Sequence, residues 1–300
     1  MVRAGHLPLR LLALKHGAKA VFSEELVALK LRKATRVVNA ELGTIDFVVA
    51  QPNNAKEPTA LVYRTCAMER GRNVVQLGAG AAAEAVEAAL VVANDVAAID
   101  VNMGCPENFS VSGGMGSALL SRTEIACDII SSLRRSLPPN VPVTCKIRLL
   151  EDAQSTIDFV RALERAGASA ITVHARRVAE RPRDPARWDE LAPIIEAVSI
   201  PVLANGDVFD SDDAARLLVR SGAAGVMAAR GAIADPAAPF VRDAATEAYG
   251  SVAHVADAYT AAAHLCGNAF HVDKWFIQQV FRYRKESETE RDKHRVVAVV

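Results

Sequence analysis

The chain has 300 residues, of which 51% are apolar and 23% charged, a composition typical of a globular protein with one large α/β domain and a smaller appendage. It carries 35 basic and 35 acidic residues, so its formal net charge is zero and the bulk charge does not indicate a nucleic-acid partner. Five scattered cysteines form no C-x-x-C pair, which argues against a disulfide framework and a zinc site and predicts reduced intracellular thiols.

The first 20 residues form a basic segment with a short leucine patch and no acidic residue. A secretory signal needs a longer apolar core and a small-residue cleavage site, and neither is present. Pro8 near the start and Gly17 at the end predict a structural helix from Pro8 to His16 instead. No apolar run reaches the roughly 20 residues that span a membrane. We therefore expect a cytoplasmic protein without a membrane partner, with a mitochondrial or nuclear location as the open alternatives.

From residue 18 to residue 230, short apolar runs alternate with helical patterns. The predicted strands are Ala20–Phe22, Asn73–Leu77, Ala98–Val101, Val143–Ile147, Ala170–His174, Val202–Asn205 and Gly225–Ala228. The predicted helices between them are Ala81–Asn94, Thr123–Ser136, Ser155–Ala166, Arg187–Val198 and Ser211–Ser221. Alternation of this kind indicates parallel strands joined by right-handed helical crossovers.

The number of strands bears on the choice between an open doubly wound sheet and a closed (β/α)8 barrel. The prediction contains seven strands, one fewer than the eight of a closed barrel. Residues 37–66 are predicted as additional β-structure inserted after the second helix. The sequence thus predicts either a barrel that lacks its first strand or an open sheet. After Arg230 the pattern is helical, at residues 252–268 and 272–287, so we place a barrel domain at 1–240 and a helical region at 241–300.

Polar residues occur at or near the carboxyl ends of five predicted strands that should otherwise be apolar. They are Gln76, Asn102, Lys146, His174 and Asn205. The period of two places Thr144, Lys146 and Arg148 on one face of their strand. Burying an unpaired amide or hydroxyl costs about 1–3 kcal/mol, so five such residues at one end indicate a function. In barrels and in open sheets alike, ligands bind at this end.

Two groups of loops belong to the same end of the predicted sheet. The segment VNMGCPENFSVSGGMGSALL holds Cys105 in a turn, and a glycine run at 113–116 follows it. The triplets Asn205-Gly206-Asp207 and Ala229-Arg230-Gly231 follow the last two strands. Loops in these positions form the usual phosphate site of a (β/α)8 barrel. We therefore predict a cofactor that carries a phosphate.

The motifs at these positions resemble those of the tRNA-dihydrouridine synthase family in order and spacing. They are IDVNMGCPENFSVSGGMGSALL, VTCKIR, ITVHARRVAERP, VLANGD and VMAARGAI. MVRAGHLPLRLLALKHGA, EELVALK and RVVNAELGTIDFVV extend the resemblance to residues 1–245, and the eukaryotic branch that modifies uridine 20 of the D-loop is most similar. The resemblance implies a (β/α)8 barrel without its first strand, a monomeric enzyme, FMN as cofactor, NADPH as reductant and tRNA as substrate.

The resemblance also assigns roles to individual residues. Hydride from reduced FMN goes to C6 of the uracil, Cys105 protonates C5, and Asn102 orients the ring. Arg176 contacts the tRNA together with the basic run at 282–295, and no metal is implied. The implied FMN contacts are Met1, Gln76, Lys146, His174, Asn205, Gly206, Asp207, Ala229 and Arg230.

The sequence departs from the family pattern at three points. The opening strand, with its FMN-contacting turn, is missing except for Met1. Asp207 stands where glycine is commoner, and Glu107 replaces a basic residue beside Cys105. Two other functions therefore stay open at this point: an FMN-dependent dehydrogenase of a free pyrimidine, and a non-catalytic RNA-binding protein on an inactive barrel.

Overall fold

The structure is a computed structural model that describes residues 4–54, 58–240 and 249–297, and of 290–297 only the helix, not the side chains. Its strands are β1 (Val21–Val27), β2 (Thr35–Asn39), β3 (Thr44–Ala50), β4 (Thr59–Cys66), β5 (Asn73–Gly78), β6 (Ala98–Met103), β7 (Val143–Leu149), β8 (Ala170–Arg177), β9 (Val202–Asn205) and β10 (Gly225–Met227). Its helices are α1 (Leu7–Lys15), α2 (Ala28–Leu31), α3 (Ala82–Val92), α4 (Asn108–Ser112), α5 (Thr123–Ser136), α6 (Ala153–Arg165), α7 (Leu191–Glu196), α8 (Ser211–Ser221), α9 (Arg230–Ala234), α10 (Val252–Leu265) and α11 (Phe270–Val297).

Seven strands form one curled parallel sheet in the order β1-β5-β6-β7-β8-β9-β10. Each neighbouring pair is parallel, and the crossovers contain helices, as the alternating pattern predicts. In the part of the chain that the structure describes, β1 and β10 are the two edges of this sheet. The described residues therefore form the predicted α/β architecture, a curled parallel sheet of seven strands of the (β/α)8-barrel type.

The two faces of the sheet differ in burial. On β7, Val143, Cys145 and Ile147 are fully buried, whereas Thr144, Lys146 and Arg148 alternate with them and are less buried. The apolar face packs against the helices, and the largest core cluster fills the space between sheet and helices. The polar face lines the concave side of the sheet. This arrangement confirms the period-two assignment of the strand made from the sequence.

The predicted insertion at residues 37–66 is a three-stranded antiparallel sheet, in the order β2-β3-β4. Phe47 and Tyr63 stack within it at a ring distance of 5.8 Å. Helix α1 is attached beside this sheet by Arg10, which forms two 2.7 Å hydrogen bonds to the Glu69 carboxylate and one of 2.6 Å to the Arg64 carbonyl oxygen. Arg10 is 3% exposed and Glu69 is fully buried. A buried ion pair therefore joins the first helix to the inserted sheet.

The predicted C-terminal helices are present as α10 and α11, and α11 is longer than predicted. They share a core with α1 and α9, in which Tyr259 stacks on Phe276 at a ring distance of 3.8 Å. The predicted domain boundary at residue 240 adjoins residues 241–248, which lie outside those described. Among the described residues, no helix combines the length and apolar character needed to cross a membrane.

Within the barrel, the two largest differences from the predicted elements lie at α7 and β1. The helix predicted at Arg187–Val198 is a 3-10 turn at Trp188–Glu190 followed by the six-residue α7, because Pro193 fits only the first turn of an α-helix. Strand β1 continues to Val27, beyond the predicted end at Phe22. Its continuation is polar, at Ser23-Glu24-Glu25, and an irregularity in the pairing with β5 falls between Phe22 and Glu25. The apolar-run criterion therefore ended the strand too early.

Candidate active site at the carboxyl ends of the strands

The five polar residues predicted at the strand ends lie together at the carboxyl-terminal edge of the sheet, where five consecutive strands, β5 to β9, end. Asn102 pairs in register with Lys146, and His174 pairs with Asn205. The Asn102 side-chain amide donates a 3.0 Å hydrogen bond from Nδ2 to the Gln76 side-chain oxygen Oε1. Parallel pairing therefore brings these residues together as the sequence predicts, on the concave side of the sheet.

Beneath these residues lies Asp100, which is fully buried. Its carboxylate accepts hydrogen bonds from Gln76 Nε2 at 2.8 Å and from Thr144 Oγ1 at 2.6 Å. Burial raises the pKa of Asp100 to about 6. Asp100 was not among the site residues predicted from the sequence. Its role is to align Gln76 and to provide a negative charge near Lys146.

Lys146 occupies the centre of the group. Loss of hydration inside the barrel, followed by repulsion from Arg148, lowers the pKa of Lys146 to about 8, against an opposing effect of Asp100. No described residue forms a hydrogen bond or an ion pair with its ammonium group. At neutral pH the ammonium is therefore charged and available to an anionic group.

His174 lies next to several cations. Desolvation, then repulsion from Lys146, Arg148, Arg176 and Arg230, holds the pKa of His174 well below its usual range. Its Nε2 atom lies 3.3 Å from Arg176 Nη1. The imidazole is therefore neutral at physiological pH, and it can accept one hydrogen bond and donate another.

The loop after β6 carries Cys105. Asn102 Oδ1 accepts hydrogen bonds from the backbone N–H groups of Gly104, at 3.0 Å, and of Cys105, at 2.9 Å, and so fixes the turn. Gly116 has φ +59°, and a Cβ atom there would lie 2.5 Å from the Cys105 carbonyl oxygen. Burial, then the Glu25 carboxylate, raises the pKa of Cys105 to about 11. The thiol is protonated at neutral pH and can donate a proton.

The predicted phosphate site is occupied by protein groups. Asp207, with φ +51°, is the single non-glycine residue with positive φ among those described. Its carboxylate accepts hydrogen bonds from Arg176 at 2.5 Å, from Arg230 at 2.6 Å and from the backbone N–H of Ala186 at 2.7 Å. Arg230 also donates to Glu286 of α11 at 2.7 Å. The two arginines are therefore held together by one carboxylate.

The remaining predicted site residues have structural contacts of their own. Asn205 Nδ2 donates to the Met227 carbonyl oxygen at 2.8 Å, and the Gly206 carbonyl oxygen accepts from Trp188 Nε1 at 2.9 Å. Ala229 precedes the first residue of α9. Arg176, predicted to contact tRNA, is 2% exposed against Asp207. Met1, a predicted FMN contact, lies outside the described residues.

The charges at this edge fit an anionic cofactor such as FMN. Among the described residues Lys146 has no ion pair, its acidic neighbour Asp100 acting only at a distance, and Arg148 donates to the carbonyl oxygens of Gly104 and Arg177, not to a carboxylate. Asp207 pairs with Arg176 and Arg230, and Glu286 also pairs with Arg230, so these two arginines are balanced by carboxylates. In the described ranges, no group of three or more His, Cys, Asp or Glu side chains could hold a metal ion.

Comparison with known proteins gives a consistent set of relatives. The family model for dihydrouridine synthase matches residues 20–274. The tRNA-dihydrouridine(20) synthase [NAD(P)+] of Schizosaccharomyces pombe is 39% identical over 240 residues, which are 77% of this chain and 49% of the relative. The protein of the same name from Saccharomyces cerevisiae is 40% identical over 216 residues, 70% of this chain and 56% of the relative.

A human relative, "tRNA-dihydrouridine(20a/20b) synthase [NAD(P)+]-like", is 31% identical over 238 residues, covering 79% of this chain and 68% of the relative. The matched region of this chain is about half the length of each of the two yeast relatives. The family match at residues 20–274 includes β1 through β10 and every described residue assigned to the candidate site.

Proposed function

Because this chain belongs to the dihydrouridine synthase family, we propose that it reduces the C5=C6 bond of a uridine in tRNA, with FMN as cofactor and NADPH as reductant. The observation that carries the proposal is the position of Cys105. Its thiol is protonated at neutral pH and lies in a loop fixed by Asn102, at the edge of the sheet where Lys146 provides an unpaired positive charge. A proton donor and an anion site at one edge suit the reduction of a pyrimidine ring.

FMN, when bound, supplies the hydride. On this proposal Gln76, Lys146 and His174 contact it on the concave face, while the loop at 205–207 and the Ala229-Arg230 turn hold its phosphate. The Lys146 ammonium is placed to stabilise negative charge on the cofactor, the kind of electronic tuning that a protein supplies. Arg230 is already hydrogen-bonded to Asp207 and Glu286, so it offers its remaining donors and its charge.

Cys105 acts as the general acid that protonates C5 of the uracil. A raised pKa suits this role because the group must carry a proton at the pH of the reaction. Asn102 uses its side-chain oxygen for the loop and one amide hydrogen for Gln76, which leaves the second amide hydrogen for the substrate.

The substrate proposed here is tRNA because each of the three relatives compared carries tRNA in its name, and the two yeast proteins specify position 20. Exposed arginines near the candidate site suit phosphate contacts. Arg181 and Arg183 are exposed on the loop after β8, and Arg282 is exposed on α11. Arg176 is hydrogen-bonded to the Asp207 carboxylate. We therefore assign it a structural role within the site and not a contact with tRNA.

The test compares dihydrouridine formation in tRNA by the wild type, Cys105→Ala and Cys127→Ala in the presence of FMN and NADPH. Loss of the general acid should slow the reaction by about 10²-fold or more, since general acids contribute roughly 10²–10⁴-fold. Cys127 lies on α5 outside the site, and its replacement should leave the rate unchanged. Equal rates for all three proteins with tRNA, or turnover of free uracil or orotate alone, would contradict the proposal.

A further inference from the structure

Glu25 is a buried carboxyl group next to the Cys105 loop that the proposed reaction does not use. It lies near the end of β1, pairs in register with Gln76 of β5, and is 7% exposed. Its Oε1 atom accepts a 2.9 Å hydrogen bond from Ser110 of α4. Its Oε2 atom is buried and has no well-formed hydrogen bond to any described residue. A buried carboxylate oxygen without a donor is costly and marks a group with a further interaction.

The chain makes room for this carboxyl group at two glycines. A Cβ atom on Gly78 of β5 would lie 2.6 Å from Glu25 Oε1. A Cβ atom on Gly116 would lie 2.4 Å from Ser110 Oγ and 3.1 Å from the Cys105 Cβ atom. Both distances under 3 Å are shorter than a real Cβ contact, so only glycine allows the carboxyl, the hydroxyl and the thiol to converge. The cluster is therefore built into the backbone of β5 and of the Cys105 loop.

We propose that Glu25 is a positioning residue that keeps the Cys105 thiol in its protonated form. The inference rests on the proposed function, because it gives a purpose to a thiol that must donate a proton. Glu25 acts through Cys105 and needs no contact with the substrate. The thiol hydrogen is the donor placed to serve the carboxylate, and a negative charge beside the sulfur disfavours the thiolate.

Glu25 acts on the Cys105 thiol against several opposing groups: the Glu107 backbone and the Ser110 hydroxyl lower the thiol pKa, and the cations Lys146 and Arg148 also interact with Cys105. From the loop and α4 it faces Cys105 and Ser110, and from β5 it faces Gly78 and the backbone of Gln76. No arginine or lysine among the described residues forms an ion pair with its carboxylate. Burial raises the pKa of Glu25, while the Ser110 hydroxyl and the neighbouring Cys105 thiol lower it. The carboxyl and the thiol therefore titrate as coupled neighbours.

The experiment measures how fast iodoacetamide alkylates Cys105 at a series of pH values, from about 6.5 to 10, since only the thiolate reacts. It uses the full chain without flavin or tRNA and quantifies the labelled peptide by mass spectrometry. Glu25→Gln removes the charge at constant size, and Glu25→Asp keeps the charge. Glu24→Gln is the matched control, because Glu24 is the neighbouring acid on the strand and interacts with His6.

Glu25→Gln should alkylate at Cys105 about tenfold or more faster than the wild type at pH 8, because a lower thiol pKa gives more thiolate. Glu25→Asp should stay nearer to the wild-type rate, and Glu24→Gln should match it. Wild-type pH dependence in Glu25→Gln, or equal acceleration in Glu24→Gln, overturns the inference. Labelling of Cys145, which is fully buried in the core, would show that a variant is unfolded. If Glu25→Gln is unfolded, the inference is judged from the alkylation rate of Glu25→Asp alone, which should stay near that of the wild type.

The alkylation result and the proposed function can fail separately. If Glu25→Gln accelerates alkylation while Cys105→Ala still reduces tRNA uridine, the coupling of the two residues stands and the general acid has been assigned wrongly. If Cys105→Ala is inactive and Glu25→Gln leaves the alkylation profile unchanged, the general acid stands and the role of Glu25 is wrong. In the expected case, Glu25→Gln also moves the basic limb of the tRNA activity profile to lower pH.

Discussion

At the scale of single residues, the charge of Lys146 depends on the buried Asp100 beneath it. The two groups shift each other's titration: desolvation lowers the pKa of Lys146 to about 8, and Asp100 limits that fall. The pKa of Asp100 is raised to about 6, so it is mostly ionised at neutral pH. Between these two values the site holds both a carboxylate and an ammonium. The proposed cofactor site is therefore expected to work best between about pH 6 and pH 8.

Replacement of Asp100 by Asn should weaken FMN binding above neutral pH. Without the carboxylate, the pKa of Lys146 falls further, and a base with a lower pKa loses its positive charge at a lower pH. Each unit of pKa is a factor of about ten in ammonium content on the basic side, so we expect roughly three- to tenfold weaker binding at pH 8. Quenching of flavin fluorescence measures the affinity. Asp128 is exposed, and Asp128→Asn is the control. If FMN affinity depended on pH in the same way in both variants, the coupling between Asp100 and Lys146 would be contradicted.

At the scale of elements, the ion pair between Arg10 and Glu69 fixes α1 against the inserted sheet. Arg10→Met should lower the free energy of unfolding by about 3–5 kcal/mol, because it leaves a fully buried carboxylate without its partner. Arg32→Met removes an exposed pair with Glu87 and should cost less than about 1 kcal/mol. Urea denaturation followed by circular dichroism measures both. Similar losses in the two variants would show that the buried pair is not a main attachment of α1.

The elements that sequence reasoning located best are those with strong local end signals. Helix α8 has the predicted bounds because Asp210 caps its first turn through the backbone N–H of Asp213 and Gly222 ends it at φ +69°. Helix α5 also begins and ends where predicted. Helix α7 was predicted to begin too early. Proline fits only the first turn of an α-helix, so Pro193 keeps the helix from starting as far upstream as the apolar pattern suggests. Capping residues, glycine and proline thus set most helix boundaries. The errors arose where these signals conflicted with the apolar pattern.

The site was predictable in part because parallel strands align their carboxyl ends, so polar residues at those ends must meet. The contacts of Glu25 were not predictable, since they join residues 85 positions apart in the chain. The pairing of Asp207 with Arg176 and Arg230 was missed for the same reason. A glutamate in an otherwise ordinary strand and an aspartate in a phosphate-type loop were the available signals. The spacing of residues along the sequence does not show which distant residues Glu25 and Asp207 contact.

At the scale of the whole molecule, the C-terminal helices and the barrel are joined beside the candidate phosphate loop. Arg230 connects Asp207 to Glu286 of α11, and Arg284 of the same helix pairs with Asp235 at 3.3 Å. The apolar contacts of α10 and α11 with α1 and α9 extend this connection. Although the net charge is zero, the charges are unevenly placed: among the described residues, Lys146 and Arg148 form no ion pair and lie at the end of the sheet that carries Cys105. The molecule thus presents one polar, cationic edge next to a helical region.

We propose that the residues at this end of the sheet reduce uridine within tRNA. The most direct measurement is the dihydrouridine content of an unmodified tRNA transcript after incubation with the chain, FMN and NADPH, read by mass spectrometry of the released nucleosides. We expect uridine to gain two hydrogens, this gain to require NADPH, and Cys105→Ala to abolish most of it. If the chain binds FMN and oxidises NADPH but leaves every uridine in the tRNA unreduced, the proposed function is wrong.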